Sequence, residues 1–322
     1  MADAARRPGP DETTPPRPRT SGIVACFNEE EHIGGCLASL SWCDEVIVVD
    51  SFSADRTAEI ARGFPNVRFF QRTYYGDGSQ RNWAMNQATG DWLFVLDADE
   101  RCPPPLRDEI DALLRSAPAA NAFAIPRRNY FLGKPIRFSG RRHDQVVRLA
   151  RRGLGYYSNR RVHAGIQTVG AVPVLRCAID HYIIECFHRY VQRVNLYGYW
   201  GAAQAWRDGT RSSLYQLLVR PGFRFIRTYL LQLGFLDGKR GLTFCALQAY
   251  ASYLKWSLLW SWRVNAARGR APPLPEFDED PAVWRGVAKL RSIDARAASP
   301  APPPLRHGPE PEPRGAADAT TA

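Results

Sequence analysis

The clearest signal along the chain is a series of short, wholly apolar runs that each end in polar or acidic residues. Ile23-Val24-Ala25-Cys26-Phe27 is followed at once by Asn28, Glu29, Glu30 and Glu31. Val46-Ile47-Val48-Val49 ends at Asp50-Ser51, and Leu93-Phe94-Val95-Leu96 runs straight into Asp97-Ala98-Asp99-Glu100. With residues 67–70, these runs predict four buried strands. Helical spacing separates them. Ile33, Leu37 and Leu40 recur on one face, residues 55–62 read as a second helix, and residues 79–88 as a third after a turn at 76–78. Asn28 with Glu31 three residues on fits a capping box, and the glutamates complement the helix dipole. Strands alternating with helices imply a mostly parallel sheet covered on both faces. After Glu100 the pattern loosens into a helix at 107–114 and strands at 122–125 and 146–149.

The fourth strand carries the first candidate chemistry. Residues two apart on a strand share a face, so Asp97 and Asp99 can converge just beyond its end. Paired carboxylates suit a hard divalent cation, which commonly sits on substrate phosphates. In open α/β sheets, ligands bind outside the carboxyl ends of the strands. The alternative is a pair of solvated turn aspartates.

Two later stretches, 214–236 and 243–262, are long, apolar and aromatic, and the second includes Tyr250, Tyr253, Trp256, Trp260 and Trp262. Gln248, Ser252, Lys255 and Ser257 interrupt it, while Arg224, Arg227, Lys239, Arg240 and Arg263 flank the two. Basic residues beside Trp and Tyr suit amphipathic helices in a membrane interface. Ordinary packed helices and a marginal span of about twenty residues are the other readings. Residues 1–20 are rich in Pro and Arg without the apolar centre of a signal peptide, and residues 270–322 are rich in Pro, Ala and Glu; both read as disordered tails.

Composition narrows the partners. A formal charge of +11 favours phosphates, nucleic acid or an acidic membrane surface. No recognised nucleic-acid motif accompanies the charge, so no nucleic-acid partner is expected. No G-x-G-x-x-G follows the first strand, which disfavours a dinucleotide oxidoreductase. The seven cysteines are scattered without a C-x-x-C pair, which indicates reduced thiols in a cytosolic setting. His181, Cys186 and His188 lie close in sequence but match no zinc spacing. The arginines between 127 and 161 form either a solvated basic face or a groove for an anion.

Four segments together closely resemble family 2 glycosyltransferases: Ile23 to Glu30; Trp42 to Thr57, which holds Asp50-Ser-Phe-Ser-Ala-Asp-Arg-Thr; Gly78-Ser-Gln-Arg-Asn; and Gly90 to Arg101, which holds Asp97-Ala-Asp. Within that family the chain is similar to the lipopolysaccharide core β-1,4-glucosyltransferase branch, a likeness that Gly234-Phe-Leu-Asp-Gly-Lys-Arg-Gly-Leu extends. The likeness spans about residues 20–262. It implies a GT-A-type, Rossmann-like α/β fold with C-terminal amphipathic helices. Its units are a catalytic nucleotide-sugar-binding domain over 21–185 and a helical, membrane-associating region over 186–269. It also implies inverting hexosyl transfer, with glucose favoured, from a UDP-sugar to a lipid-linked saccharide. The acceptor would be lipopolysaccharide core or another envelope glycan at the cytoplasmic, anionic face of the cell membrane. Ala25 and Phe27 would line the base pocket with Glu29 near the nucleotide. Asp50 would meet the uracil or ribose edge, Arg81 would face the donor, and Asp97 and Asp99 would hold Mg²⁺ or Mn²⁺.

Such a transfer needs a base on the acceptor hydroxyl. Relatives carry Pro-Asp and Val-His-Glu where this chain has His143-Asp144 and Val162-His163-Ala164. Asp144 is then the base candidate; His163 serves either as base or as an extra metal ligand. A relative that binds nucleotide sugar or glycan without transfer is the rival reading. Asp144 paired with Arg148 is the structural alternative.

Overall fold

The computed structural model describes residues 17–158, 165–184 and 187–274. The first half alternates as the sequence predicts: β1 (Thr20–Cys26), α1 (Ile33–Ser39), β2 (Glu45–Asp50), α2 (Thr57–Arg62), β3 (Val67–Gln71), α3 (Asp77–Gln87) and β4 (Trp92–Asp97). Short β5 (Glu100–Arg101) and α4 (Pro104–Arg115) lead into β6 (Ala122–Phe131), β7 (Lys134–Ile136), β8 (Gln145–Arg151), β9 (Gly155–Tyr157), β10 (Ile166–Thr168) and β11 (Ile179–Ile184). Helices α5 (Phe187–Arg207), α6 (Arg220–Ile226) and α7 (Gly238–Ala266) follow.

Nine strands form one sheet in the order β3-β2-β1-β4-β8-β6-β11-β5, with β7 on β6. The first four are parallel to one another, β8 is antiparallel to both β4 and β6, and β11 runs parallel to β6. The expected α/β class, a mostly parallel sheet flanked by helices, is what the chain adopts. From β1 the chain moves outward through β2 and β3, then crosses back by α3 to place β4 on the other side of β1. That reversal opens a crevice at the carboxyl ends of β1, β2 and β4. Register sharpens it: Cys26 pairs with Asp50, and Ala25 pairs with Asp97.

Period-two alternation divides the apolar runs between two cores. Val24, Val46, Val48, Phe94 and Leu96 pack under α1 and α4 with Ile33, Leu37, Leu106 and Ile110. Ile23, Ile47, Val49, Leu93 and Val95 pack on the opposite face with Ala84 and Met85 of α3. Each such fully buried side chain contributes on the order of 1.5–3 kcal/mol of apolar transfer. That is why these runs are apolar without interruption.

Three local expectations change. Helix α1 begins at Ile33, and its N-cap position, His32, makes no side-chain cap bond. Asn28 takes a left-handed conformation (φ 53°), and its side-chain oxygen accepts the Ala54 N–H at 2.8 Å, tying the β1 loop to the β2 loop. Asn tolerates that backbone better than most residues, so the capping-box residue acts as a loop clamp. Residues 17–20, assigned to a tail, are ordered: Arg17 pairs with Asp44 and Asp111, and Thr20 starts β1. Residues 270–274 of the expected C-terminal tail are also described, with Leu274 packed against the core formed by α5 and α7; residues 1–16 and 275–322 lie outside the described residues. Six cysteines are free thiols; Cys186 is not described.

The two aromatic stretches are a bent helical segment and the long helix α7. The first passes through π-helical turns at 215–219 and 227–231 around α6, then a 3-10 turn at 234–237. Part of α7 is packed: Trp256, Leu259 and Trp262 form a core with Ala202, Ala203 and Ala205 of α5. Among the described residues no helix is long and apolar enough to cross a membrane. The junction explains the Gly234-to-Gly241 motif. Asp237 accepts the backbone N–H groups of Arg137 and Phe138 at 3.1 and 3.0 Å, and the Ser139 hydroxyl at 3.1 Å. A Cβ at Gly241 would stand 1.9 Å from the Gly234 carbonyl oxygen.

Candidate active site

The crevice gathers most of the residues singled out from sequence. Phe27, leaving β1, is 53% exposed and lies outside the core. Phe52, just after β2, is 57% exposed at φ 62°. It is a second aromatic face that the sequence reading passes over, because a lone Phe in a polar loop gives no periodic signal. Asp50 is fully buried at the end of β2. It accepts the Ser53 hydroxyl, the Ser53 N–H at 3.0 Å and the Gln71 amide at 3.1 Å. Ala25 is partly buried opposite Asp97. Glu29 lies 3.5 Å from the Arg193 guanidinium, and its N–H is held by Thr57.

Asp97 is the hub. One oxygen accepts from Arg81 at 2.6 Å and the other from Arg148. Its backbone N–H donates to Glu100 at 3.0 Å. Burial would raise its pKa, but Arg148 and Arg81 outweigh burial and hold the carboxyl well below the usual range. Arg148 also meets Glu100 at 2.7 Å and the Tyr157 hydroxyl at 3.2 Å, while Arg81 lies over the Tyr157 ring. Arg127 reaches Glu100 at 3.5 Å. The arginine run therefore splits. Arg127, Arg141 and Arg148 turn inward onto carboxylates, while Arg128, Arg137 and Arg142 are exposed. The Arg148 partner is Asp97, not Asp144.

Asp99 lies past the strand end with a different set of partners. Arg193 of α5 donates to one oxygen at 2.7 Å, and His181 Nε2 of β11 faces the other at 3.7 Å. Register brings His181 there, since β11 pairs with β5 at His181 and Glu100. Burial outweighs the pull of Asp99 and lowers the His181 proton affinity. Neither Arg193 nor His181 announces this role in the sequence, because both arrive from elements remote from the Asp97-Ala-Asp segment.

Among the described residues no three His, Cys, Asp or Glu side chains converge as a metal cluster. A two-ligand arrangement does fit. Asp99 and His181 offer an oxygen and a nitrogen 3.7 Å apart, a separation two ligands each about 2.1 Å from one ion can span. Hard cations that act on nucleotides commonly take one or two protein ligands and complete their shell with phosphate. Asp97, with both oxygens on arginines, is less available than the expected Asp97–Asp99 pair requires.

Asp144, the candidate base, accepts from Arg127 at 2.8 Å, Arg141 at 3.0 Å and Asn129 at 2.9 Å. Burial opposes ionisation there, but Arg127 and Arg141 hold its carboxyl down at about 2. His163 and Ala164 lie outside the described residues.

Comparison with known proteins decides the family. The model for "Glycosyl transferase family 2" matches residues 21–172. A lipopolysaccharide core biosynthesis glycosyltransferase, LpsC of Rhizobium meliloti, is 30% identical over 257 residues, spanning 76% of this chain and 95% of the relative. The chain belongs to glycosyltransferase family 2. A glycosyltransferase of Rickettsia typhi is 22% identical over 75% of this chain and 86% of its own length. Among solved structures, S. aureus TarS in complex with UDP-GlcNAc aligns with TM-score 0.39 and 16% identity over 87% of this chain and 92% of that one. Glucosyl-3-phosphoglycerate synthase of Mycobacterium tuberculosis, in complex with Mn²⁺, UDP and glucosyl-3-phosphoglycerate, aligns with TM-score 0.29 and 22% identity over 36% and 45%.

Proposed function

We propose that this family 2 enzyme moves a hexose, with glucose favoured, from a UDP-sugar to a lipid-linked saccharide of the lipopolysaccharide core or a related envelope glycan, with inversion. One observation carries the reading. In a family 2 chain, the crevice at the sheet's reversal holds Asp50, Asp97 and Asp99 beside the exposed rings of Phe27 and Phe52. The aromatic faces suit the base, and Asp50 suits an N–H or hydroxyl edge. Arg81 and Arg193 border the place where the diphosphate would carry its charge. Mg²⁺ or Mn²⁺ on Asp99 and His181 would offset the charge that grows on the leaving diphosphate.

The test is calorimetric titration with UDP-glucose and other UDP-sugars, in Mn²⁺ and then in chelator. The reading expects binding that depends on the metal and is lost in Asp99→Asn. Equal affinity in both buffers refutes the metal role, and absent binding refutes the donor site. The rival, binding without transfer, is favoured by the saturated Asp144. It predicts donor binding with neither hydrolysis of the UDP-sugar nor transfer to lipid-linked acceptors.

The helical region supports a membrane-bound acceptor. Leu218, Phe223, Ile226, Leu230 and Leu231 are exposed on the bent segment. A shallow apolar groove of about 580 Å³ runs beside them, between Leu218, Phe225, Tyr250 and Tyr253. Over residues 210–270 there are ten Lys or Arg and a single acidic residue, Asp237, which is committed to residues 137–139. Apolar side chains beside unopposed cations suit an anionic lipid surface. Co-sedimentation with phosphatidylglycerol vesicles but not with phosphatidylcholine vesicles is expected; equal binding to both, or to neither, refutes it.

A further inference from the structure

The residue that presents His181 to Asp99 does not stand alone. The imidazole Nδ1 lies 2.8 Å from the side-chain oxygen of Asn129, which is 1% exposed on β6. The Asn129 amide nitrogen, in turn, donates to Asp144 at 2.9 Å. Asp144 is fixed by Arg127 at 2.8 Å and Arg141 at 3.0 Å. The orientation of each member follows from the next. An ionised carboxylate only accepts, so the Asn129 NH₂ must point at Asp144. The Asn129 oxygen must then face His181, and an amide oxygen only accepts, so Nδ1 must carry the proton. With the proton on Nδ1, and with Nε2 3.7 Å from Asp99 and so beyond hydrogen-bond reach of it, Nε2 is left as a lone pair. Nε2 is the atom aimed at Asp99.

Two acceptors, Nε2 and the Asp99 oxygen, thus face each other with no proton placed between them. A lone pair directed at a carboxylate is unfavourable unless a cation joins them. The usual reason for fixing the distal nitrogen of a histidine by a hydrogen bond is to orient it as a ligand.

We infer that Asp144 and Asn129 are positioning residues, a relay that locks His181 in its Nδ1–H tautomer so that Nε2, together with Asp99, receives the divalent cation. The inference rests on the metal-dependent donor site proposed above. It gives Asp144 a place in the reaction without taking a proton from the acceptor hydroxyl. It also accounts for why this partly buried carboxylate is held by two arginines. A general base gains from basicity, whereas a relay anchor gains from remaining ionised. Arg127 and Arg141 serve the second need.

The experiment uses the full chain with uniform ¹⁵N labelling, in wild type and in Asn129→Leu and Asp144→Asn. Leucine nearly matches Asn129 in size but has no oxygen for Nδ1. Asparagine keeps the shape of Asp144 but no longer dictates which way the Asn129 amide points. Two-bond ¹H–¹⁵N correlation spectra in chelator report the His181 tautomer without metal, and Mn²⁺ titration in saturating UDP reports the site. Wild type is expected to show the Nδ1–H pattern. Both variants are expected to shift toward Nε2–H and to bind Mn²⁺ about 10–100-fold more weakly. Their melting temperatures and far-UV circular dichroism serve as controls for folding. A wild-type His181 in the Nε2–H form overturns the relay whatever the metal does. Asp144→Asn with unchanged tautomer and unchanged Mn²⁺ affinity, but abolished transfer, overturns it in favour of Asp144 as base. Wild type with the Nδ1–H pattern and no Mn²⁺ effect on UDP binding overturns the metal reading and, with it, the purpose assigned to the relay.

Discussion

Replacing Arg148 by methionine isolates the electrostatics under the site. Arg148 is 5% exposed, bridges Asp97 and Glu100, and packs against Tyr157. Methionine keeps most of the stem volume and removes the charge. Glu100 is fully buried, and after the change Arg127 at 3.5 Å is its remaining arginine partner; Asp97 keeps Arg81. Stranding a buried carboxylate costs about 3–5 kcal/mol. The partners that stay place Arg148→Met near the lower end, about 3 kcal/mol. For a chain of this size each kcal/mol moves the melting temperature by roughly 2–4 °C, so a loss of roughly 6–12 °C is expected at pH 7. A second change carries the diagnosis. Glu100→Gln removes the buried charge that Arg148 neutralises, so it should recover part of the deficit at pH 7, read from melting curves by circular dichroism. A deficit that Glu100→Gln leaves unchanged or deepens, or one under about 2 °C, would refute the claim that Arg148 neutralises this pair.

Other outcomes follow from the same geometry. Glu45 accepts from Ser21, from both the N–H and hydroxyl of Thr89, and from Arg68; although burial opposes it, these bonds lower its carboxyl to about 2. Because the folded value lies below the unfolded one, this stability is present above about pH 4.5 and lost as pH falls toward 2. Glu45→Gln should cost at most about 3 kcal/mol at pH 7 and much less at pH 2.5, read from urea midpoints; an equal loss at both refutes it. Gly241→Ala should displace the 3-10 turn from α7, since its methyl would overlap the Gly234 carbonyl, and proteolysis between residues 231 and 242 should accelerate. Asp237→Ala frees two backbone donors and the Ser139 hydroxyl, and should cost about 2–3 kcal/mol in chemical denaturation, with Asp237→Asn recovering part; a neutral alanine variant would show that water replaces these bonds.

The first half of the fold was legible because its information is local. Runs such as Val46 to Val49 are apolar on both faces, which only a doubly covered strand needs, and Asp50 and Asp97 mark where such runs meet the ligand side of the sheet. Asn28 misled because a helix cap and a loop clamp use the same side-chain oxygen, and only the distant Ala54 N–H decides between them. The site beyond Asp97 was not legible for a related reason. Asp97 and Asp99 are two residues apart, yet the strand ends between them, so the period-two argument stops applying at the residue it was used to place. What replaces it is pairing at long range: β11 returns alongside β5, sets His181 against Asp99, and carries its tautomer requirement back to Asn129 on β6. The sequence shows His143-Asp144 and a stretch rich in arginine, and a search for a base stops at Asp144. The partners of that carboxylate point the other way. Two arginines and an amide donor make it a poor proton acceptor and a good anchor. Its chemistry is set by what faces it from β6 and its own loop, and none of that is periodic along the chain.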